Sequence, residues 1–333
     1  MNSVTVNSAN ELWFHLVKTF KNNSKTVIQK SRVGDNKEIL HYWITITDPI
    51  QRFMTMRYPS INPAFAIAEI VWIINGRNDS MFLNKWNSQL CKYAGYDDYY
   101  HGAYGYRLRK NFQIDQLKSA YEALKNDTST RQIVLQIWDS KKDLPFPSGK
   151  AKSKDIPCNI TSLLKIRDNK LEWVQIMRSN DMFRGLPYNI IQFTTLQEIL
   201  AGWLGIKPGN YYHFSDSLHL YNDDKLIMKK KSEFVNSTNS DSIHLSYKES
   251  KSLFKQFEHK IEQLINSPLT PKKLISINNW DSAPQSFRNM LSLLTAEAAR
   301  KIKYDDVVTE IIAGCSNPCF TQMWNNWANE RNN

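Results

Sequence analysis

Residues 178–189 read Arg178-Ser179-Asn180-Asp181-Met182-Phe183-Arg184-Gly185-Leu186-Pro187-Tyr188-Asn189, and this stretch says most about the fold of the chain. It places an anion-binding arginine and hydroxyl, a carboxylate, a Gly-x-Pro turn and an amide within twelve positions. Each piece alone is common, and a Gly-x-Pro segment is usually only a turn. Pro157-Cys158 lies twenty residues upstream, and His219-Leu220-Tyr221 lies thirty residues downstream. Together and in this order, they predict one shared site.

The elements around this stretch predict an α+β fold, in which helices pack on a largely antiparallel or mixed sheet, because strands and helices do not alternate regularly. Proline and polar capping residues bound the helices, and β-branched and aromatic alternation marks the strands. The helices are predicted from Ser8 to Phe20, Pro63 to Ile74, Ile114 to Leu124 and Pro187 to Leu204. The strands are predicted at Ile39–Thr47, Gln132–Trp138, Ile160–Ile166, Leu171–Met177 and Tyr211–Ser215, with an exposed loop at Lys141–Asp155.

The character of the chain changes after Asp224, which divides it into a catalytic core at 1–224 and a mostly helical region at 225–333 that completes this core. A basic run at Lys225–Lys231 and a loop rich in Ser and Asn at Ser232–Ser242 come first. Helical periodicity then predicts helices at 252–264, 286–303 and 320–333. This region contains no recognisable catalytic motif.

Composition excludes several classes of protein. Hydrophobic residues make up 41% of the 333 positions, and no apolar run reaches the ~20 residues needed to cross a bilayer. The start of the chain lacks a basic and then apolar signal peptide, so a cytoplasmic protein without membrane contact is expected. Four scattered cysteines do not form a disulfide framework, and the C-x3-C pair Cys315 and Cys319 has no second pair that would complete a metal site.

The net charge of +11 predicts affinity for anions, which could be nucleic acid or a phosphorylated small molecule. The basic residues cluster at 150–154 and 225–231, and neither run has interleaved aromatic residues. Without aromatic side chains there is no platform on which single-stranded bases could stack. Nucleic acid is therefore not the expected partner.

Cys158 is the cysteine whose surroundings suggest reactivity. A thiol becomes a nucleophile when a nearby cation lowers its pKa. The predicted hairpin starts just after Cys158 and ends just before Arg178, which brings the two side chains into one neighbourhood. A lone cysteine is more often a buried structural residue, but the surrounding motif favours the nucleophile.

The segment from Pro157 to Tyr221 resembles the thymidylate synthase family, which includes the pyrimidine-nucleotide hydroxymethylases, and weaker matches extend back to Leu12. The resemblance implies a thymidylate-synthase-like fold and a homodimer. It also implies that Cys158 adds to C6 of a uracil ring. The C5 carbon then attacks the one-carbon unit of 5,10-methylenetetrahydrofolate, which serves as co-substrate.

The same resemblance assigns roles to further residues. Glu69 would organise water and protons around O4, and Tyr104 would help to remove the C5 proton. Asn189 would read the N3 and O4 edge of the pyrimidine, where its neutral amide suits uracil. The other implied ligands are Arg32, Arg178 and Ser179 for the phosphate, Arg131 for the phosphate across the dimer interface, His219 and Tyr221 for the sugar hydroxyl, Asp181 for the folate pterin, and Gly185 for close approach of the backbone to the ligands.

The sequence departs from the family pattern at several positions. Asn159 follows the nucleophile where synthases have His, and Gln132 replaces a second arginine of the dimer interface. Leu90–Ala94 occupies the stretch where a tryptophan pair is expected, and Asp216-Ser217-Leu218 replaces a Gly-Asp pair. Several of these changes fall where the folate stacks and where the final hydride transfer is shielded from water.

Three functions therefore stand after the sequence is read. The first is methylation of dUMP to dTMP, which is the commonest activity of the family. The second is C5 hydroxymethylation of dUMP or a related pyrimidine nucleotide through the same intermediate. The third is a catalytically inactive member that binds RNA or regulates a partner. Retention of Cys158, Arg178, Glu69 and Tyr104 argues against the third, because a binding module needs no nucleophile.

Overall fold

The computed structural model describes residues 2–22, 26–31, 34–227 and 237–332. The strands in these residues are β1 (Asn2–Val6), β2 (Val27–Gln29), β3 (Asn36–Ile46), β4 (Ile133–Gln136), β5 (Asn159–Arg167), β6 (Lys170–Met177), β7 (Asn180–Asp181) and β8 (Lys207–Tyr221). The helices are α1 (Ala9–Asn22), α2 (Pro63–Ile74), α3 (Ser80–Asn84), α4 (Leu90–Ala94), α5 (Tyr104–Tyr106), α6 (Gln116–Asn126), α7 (Ser140–Asp143), α8 (Leu186–Leu204), α9 (Asn222–Ile227), α10 (Tyr247–Asn266), α11 (Pro271–Asn278), α12 (Gln285–Lys301), α13 (Asp305–Ala313) and α14 (Pro318–Asn332), with a short π-helix at Arg107–Asn111.

The strands form one mixed sheet in the order β1-β3-β8-β6-β5-β4, and β2 and β7 are attached to β3 and β8. Strands β1 and β3, β6 and β8, and β7 and β8 pair in parallel, while the other pairs are antiparallel. The predicted α+β class and mixed sheet are therefore confirmed. The predicted hairpin is present as β5 and β6, and its turn residues Asp168 and Asn169 have φ values of 49° and 56°. Two consecutive positive φ values match the twist of a two-residue hairpin.

The two faces of the sheet differ in burial. On β8, Tyr211, His213 and Ser215 point to the inner face and are fully buried, while Tyr212 and Phe214 on the outer face are only partly buried. Helix α8 packs against the sheet along β6 and β8. The strand registers align two apolar rows across the outer face, which are Val134, Leu163, Val174 and Tyr212 in one row and Ile176, Phe214 and Trp43 in the next.

Strand β8 is longer than predicted. The prediction covered only Tyr211–Ser215, whereas β8 spans Lys207–Tyr221 and includes the polar residues Asp216 and Ser217. In the structure, Ser217 pairs with Leu40 of β3, and its hydroxyl donates to the carboxylate of Glu38. A partner on the neighbouring strand therefore keeps this polar segment in the sheet.

The prediction that 141–155 is an exposed loop is wrong at its start. Asp143 ends the short helix α7 and is buried, where its carboxylate accepts hydrogen bonds from Nη1 and Nη2 of Arg107 at 2.6 and 2.9 Å. Burial of Arg107 requires a counter-charge, which a local sequence pattern does not reveal. Ile114, which was predicted on a helix, lies before α6 and is exposed.

The C-terminal helices share the hydrophobic core with the rest of the chain. Helices α10 and α12 both pack against α2, and α10 also contacts α8. Residues 228–236, which cover the end of the predicted basic run at 225–231 and the start of the predicted loop at 232–242, lie outside the described residues. None of the helices that the structure describes is long and apolar enough to cross a membrane.

A buried ion pair connects three parts of the chain. Arg52 and Glu198 are both almost fully buried, and they form a salt bridge between the loop before α2 and helix α8. The other carboxylate oxygen of Glu198 accepts hydrogen bonds from the Ser242 hydroxyl at 2.8 Å and from the backbone N–H of Ile243 at 2.9 Å. Arg52 also donates to the Thr195 hydroxyl at 2.9 Å. Glu198 therefore holds the segment before α10 against the core.

Glu198→Gln should lower the free energy of unfolding by about 3–5 kcal/mol, because it leaves the Arg52 charge buried without a counter-ion. Urea unfolding measures this change. The control is Glu122→Gln, which breaks the exposed pair in which Lys118 Nζ lies 3.5 Å from the carboxylate. The control should cost under about 1 kcal/mol. A loss at Glu198 no larger than that of the control would contradict a stabilising role for the buried pair.

Candidate active site

A cavity of about 1020 Å³ opens beside the ends of β5, β6 and β8 and the start of α8. Ten of the residues predicted from sequence line this cavity. They are Glu69, Tyr104, Cys158, Arg178, Ser179, Asp181, Gly185, Asn189, His219 and Tyr221. The sheet and the helices α2, α5 and α8 thus bring residues that are far apart in the sequence to one place.

Cys158 and Arg178 flank the β5–β6 hairpin. The strand register pairs Asn159 with Met177, and the backbone N–H of Arg178 donates to the Cys158 carbonyl at 2.9 Å. The Arg178 guanidinium donates to the Pro157 and Ile156 carbonyls at 2.9 and 3.1 Å, and its Nη2 lies 4.0 Å from Cys158 Sγ. Cys158 is half-buried and is not in a disulfide. The Arg178 guanidinium is therefore held beside the Cys158 thiol by the carbonyls of the preceding residues.

On the helical wall of the cavity, one carboxyl and one amide side chain each have a buried oxygen without a partner among the described residues. Burial raises the pKa of Glu69 to about 7, while a hydrogen bond with Gln192 lowers it. Glu69 Oε2 and Gln192 Oε1 have no hydrogen-bond partner among the described residues. Buried polar atoms normally find a partner, so these two oxygens are positioned for a ligand or a bound water.

Tyr104 also lines the cavity, and its phenol is protonated. Burial raises its pKa well above the usual value, and negative charge on Cys158 raises it further, while a hydrogen bond with Asn159 lowers it. The phenol therefore holds its proton at neutral pH and can donate a hydrogen bond or pass a proton on.

The turn into α8 places three predicted ligands side by side. Asp181 Oδ1 accepts hydrogen bonds from the backbone N–H groups of Phe183 and Arg184 at 2.8 and 2.9 Å. Burial raises the pKa of Asp181, and these backbone hydrogen bonds lower it. A Cβ added at Gly185 would meet Asn189 Nδ2 at 3.6 Å, which is ordinary contact. The protein's own atoms therefore leave room at Gly185, and its close approach to a ligand stays a prediction.

The parallel pairing of β7 and β8 brings the sugar-binding candidates next to this turn. Asp181 is in register with His219, and the backbone N–H of Met182 donates to the His219 carbonyl at 2.8 Å. The His219 and Tyr221 rings meet edge to face with centroids 5.2 Å apart. Ser179 lines the cavity next to Arg178.

The two remaining arginines are not in this cavity. Arg131 is exposed at the start of β4 and does not line the cavity of its own chain. Its predicted role across a dimer interface stays a prediction. Arg32, the other predicted phosphate ligand, lies outside the described residues.

The structure adds lining residues that the sequence did not suggest. Gln192 lies one turn after Asn189 on the same face of α8, and this spacing of three residues was a usable signal. Trp327 and Arg331 of α14 also line the cavity, and the Arg331 guanidinium lies 4.2 Å from the Trp327 ring centroid. The C-terminal region therefore contributes to the site without carrying a recognisable motif. Arg184 lines the cavity too, and it donates to Asp224 and to the Tyr93 hydroxyl.

Comparison with known proteins identifies the family of this chain. The family model described as thymidylate synthase matches residues 23–281. A deoxyuridylate hydroxymethyltransferase of Bacillus phage SP01 is 37% identical over 199 residues, which cover 56% of this chain and 51% of the relative. One of Pseudomonas phage M6 is 33% identical, covering 53% and 49%. A thymidylate synthase of Clostridium beijerinckii is 28% identical, covering 51% and 64%. The chain spans about half the length of the two phage relatives.

The stability of Glu69→Gln relative to that of the parent chain should increase as the pH rises from 5 to 8. The buried carboxyl of Glu69 keeps its proton up to a pKa of about 7, whereas an unfolded chain releases it near 4.5. The folded state binds more protons in this window, so its stability falls as the pH rises, by at most about 3 kcal/mol. Urea unfolding of both proteins between pH 5 and pH 8 measures the difference. A difference that does not change with pH would contradict the raised pKa.

Proposed function

Because the chain belongs to the thymidylate synthase family, we propose that it transfers a one-carbon unit to C5 of dUMP through a covalent bond between Cys158 and C6. The observation that carries the proposal is the convergence of a thiol, a guanidinium and a base-reading amide on one cavity. Cys158, Arg178 and Asn189 all line it. A catalytically inactive family member would not need the thiol 4.0 Å from a fixed cation.

Each step uses a group whose protonation state is set by its surroundings. The Cys158 thiolate adds to C6, and the electron pair moves through C5 to O4. Glu69, with a pKa raised by burial to about 7, holds or releases a proton near O4. Tyr104 keeps its phenol proton, so it is not a phenolate base before the reaction. It takes part in removal of the C5 proton by passing its own proton on while it accepts that one.

The residues around Asp181 fit a folate co-substrate. Oδ2 of Asp181 accepts no hydrogen bond from the described part of the chain, while Oδ1 accepts two from the backbone. A carboxylate held in this way suits the N–H groups of a pterin. The apolar side chains of Leu83, Leu90 and Tyr93 line the same cavity. In this proposal 5,10-methylenetetrahydrofolate supplies the one-carbon unit.

The product that we propose is 5-hydroxymethyl-dUMP. The relatives that are 33–37% identical carry the name deoxyuridylate hydroxymethyltransferase. The chain also lacks the tryptophan pair at Leu90–Ala94 and has Asn159 after the nucleophile. Once C5 is bonded to the one-carbon unit, loss of the C5 proton would expel tetrahydrofolate and leave a C5 methylene. Water would add to this methylene, and the Cys158 thiolate would then leave C6.

Methylation to dTMP is the second candidate, although the sequence alone favoured it as the commonest activity of the family. The description of the family model and the names of several relatives support it. It differs in the last step, in which the folate gives a hydride instead of water adding an oxygen.

We also propose a homodimer that forms through the outer face of the sheet. The half-buried side chains of Trp43, Tyr212 and Phe214 form a cluster there. The ring centroid of Trp43 lies 6.0 Å from that of Phe214 and 6.2 Å from that of Tyr212. A contiguous apolar face of this kind marks an interaction surface. Arg131 precedes β4, whose Val134 belongs to the same face, so a partner could receive the Arg131 guanidinium at its phosphate site.

Incubation of the protein with dUMP and methylenetetrahydrofolate should give a product with the mass of hydroxymethyl-dUMP. Mass spectrometry separates this product from dTMP, which would support the second candidate, and from unchanged dUMP. Cys158→Ser should lower turnover by several orders of magnitude with the fold intact, because a serine alkoxide needs a dedicated base. Turnover by Cys158→Ser near the parent rate would overturn the nucleophile assignment.

Sedimentation should show a dimer at micromolar concentration and a monomer for Phe214→Lys, because a charge would be buried in the apolar outer face. The matched control is Ile302→Lys, at an exposed apolar residue after α12, which should stay dimeric. A parent protein that is monomeric and fully active would remove both the interface and Arg131 from the proposal.

A further inference from the structure

A chain of four polar side chains runs from the interior of the sheet to the cavity. Tyr211 and His213 of β8 are fully buried, and Asn180 of β7 and Asn189 of α8 are 2% and 7% exposed. His213 Nδ1 lies 3.0 Å from the Tyr211 hydroxyl, and His213 Nε2 lies 2.8 Å from Asn180 Nδ2. Asn180 Oδ1 in turn accepts from Asn189 Nδ2 at 3.2 Å.

The imidazole at the inner end of this chain is neutral. Burial lowers the pKa of His213 to about 3, so at neutral pH one ring nitrogen donates and the other accepts. Nε2 accepts from the Asn180 amide, and Nδ1–H faces the Tyr211 hydroxyl. Asn180 Nδ2 also donates to the Ser215 hydroxyl at 3.3 Å. Both hydrogens of the Asn180 amide are therefore used, and only its oxygen is turned toward Asn189.

This arrangement sets what Asn189 shows to the cavity. One N–H of the Asn189 amide donates to Asn180. The other N–H and Oδ1 are left for a ligand, and this oxygen accepts no hydrogen bond from any residue in the described ranges. A donor and an acceptor side by side match O4 and N3–H of uracil, whereas cytosine presents the opposite pattern at both atoms. Since an amide can be flipped, its neighbours decide which base it reads.

We propose that Asn180 and His213 are positioning residues that fix the amide orientation of Asn189 and thereby select uracil over cytosine. The inference rests on the proposed function, because it concerns how the same site reads its base. Neither side chain needs to touch the base. Their effect is to exclude the flipped amide, in which the Asn189 nitrogen and oxygen change places and cytosine becomes the better match.

The test is the ratio of kcat/KM for dUMP to kcat/KM for dCMP, with thermal unfolding as a check on folding. Asn180→Leu removes the partner of Asn189 at similar volume and should lower the ratio about tenfold or more, since an unpaired polar group costs roughly 1–3 kcal/mol. His213→Phe should lower it less, because Ser215 still accepts from Asn180. His213→Gln, which keeps an acceptor, should restore part of the ratio.

Tyr212→Phe is the matched control, because it changes the neighbouring residue on the outer face of the same strand. It should leave the ratio unchanged, since any effect through the proposed dimer face and Arg131 concerns the phosphate, which dUMP and dCMP share. Asn189→Asp provides the scale, because a carboxylate can only accept and should favour the cytosine amino group. If Asn189→Asp shifts the ratio but Asn180→Leu and His213→Phe do not, the positioning role is wrong. If the parent protein does not discriminate, or Asn189→Asp also changes nothing, the base-reading function itself fails.

Discussion

The burial of helix α8 on nearly all sides is the constraint on which the rest of the structure depends. Every residue of this helix except Tyr188 and Leu204 is buried. Its polar side chains must therefore find partners inside the protein. Gln197 Nε2 donates to the carbonyls of Leu171 and Gly209 on β6 and β8, at 2.8 and 3.2 Å. Together with the Glu198 ion pair, these contacts fix how far the helix is turned about its axis.

The rotation of α8 determines the geometry of the cavity. Asn189 and Gln192 lie on its first turns, and both face the cavity that Cys158 also lines. A helix held only by apolar contacts could slide or rotate at small cost. Directional hydrogen bonds from its middle to two strands prevent this, so the distance between the Asn189 amide and the Cys158 thiol is set by the interior of the protein.

Local chemistry explains which parts of the fold could be predicted from sequence. The start of α2 follows from Pro63 at its first position and from Asn62, whose side chain accepts from the Phe65 N–H. The hairpin likewise needs only its two turn residues. The burial of Asp143 and the full length of β8 depend on Arg107 and Glu38, which are distant in sequence. Ten of the residues that the resemblance predicted line the cavity. Trp327 and Arg331 could not be predicted in this way, because they reach the cavity only through the packing of α14.

The β5–β6 hairpin carries a consequence for how such a site can diversify. Cys158 and Arg178 are joined by one short segment closed by a two-residue turn, so the proposed reactive pair is a self-contained unit of the chain. The groups that we propose to distinguish one base from another belong to other elements, α8 and β7, backed by β8. On this proposal, substitutions there change which nucleotide is accepted without moving Cys158 relative to Arg178. In this proposal, base reading can therefore evolve separately from the chemistry of the thiol within this fold.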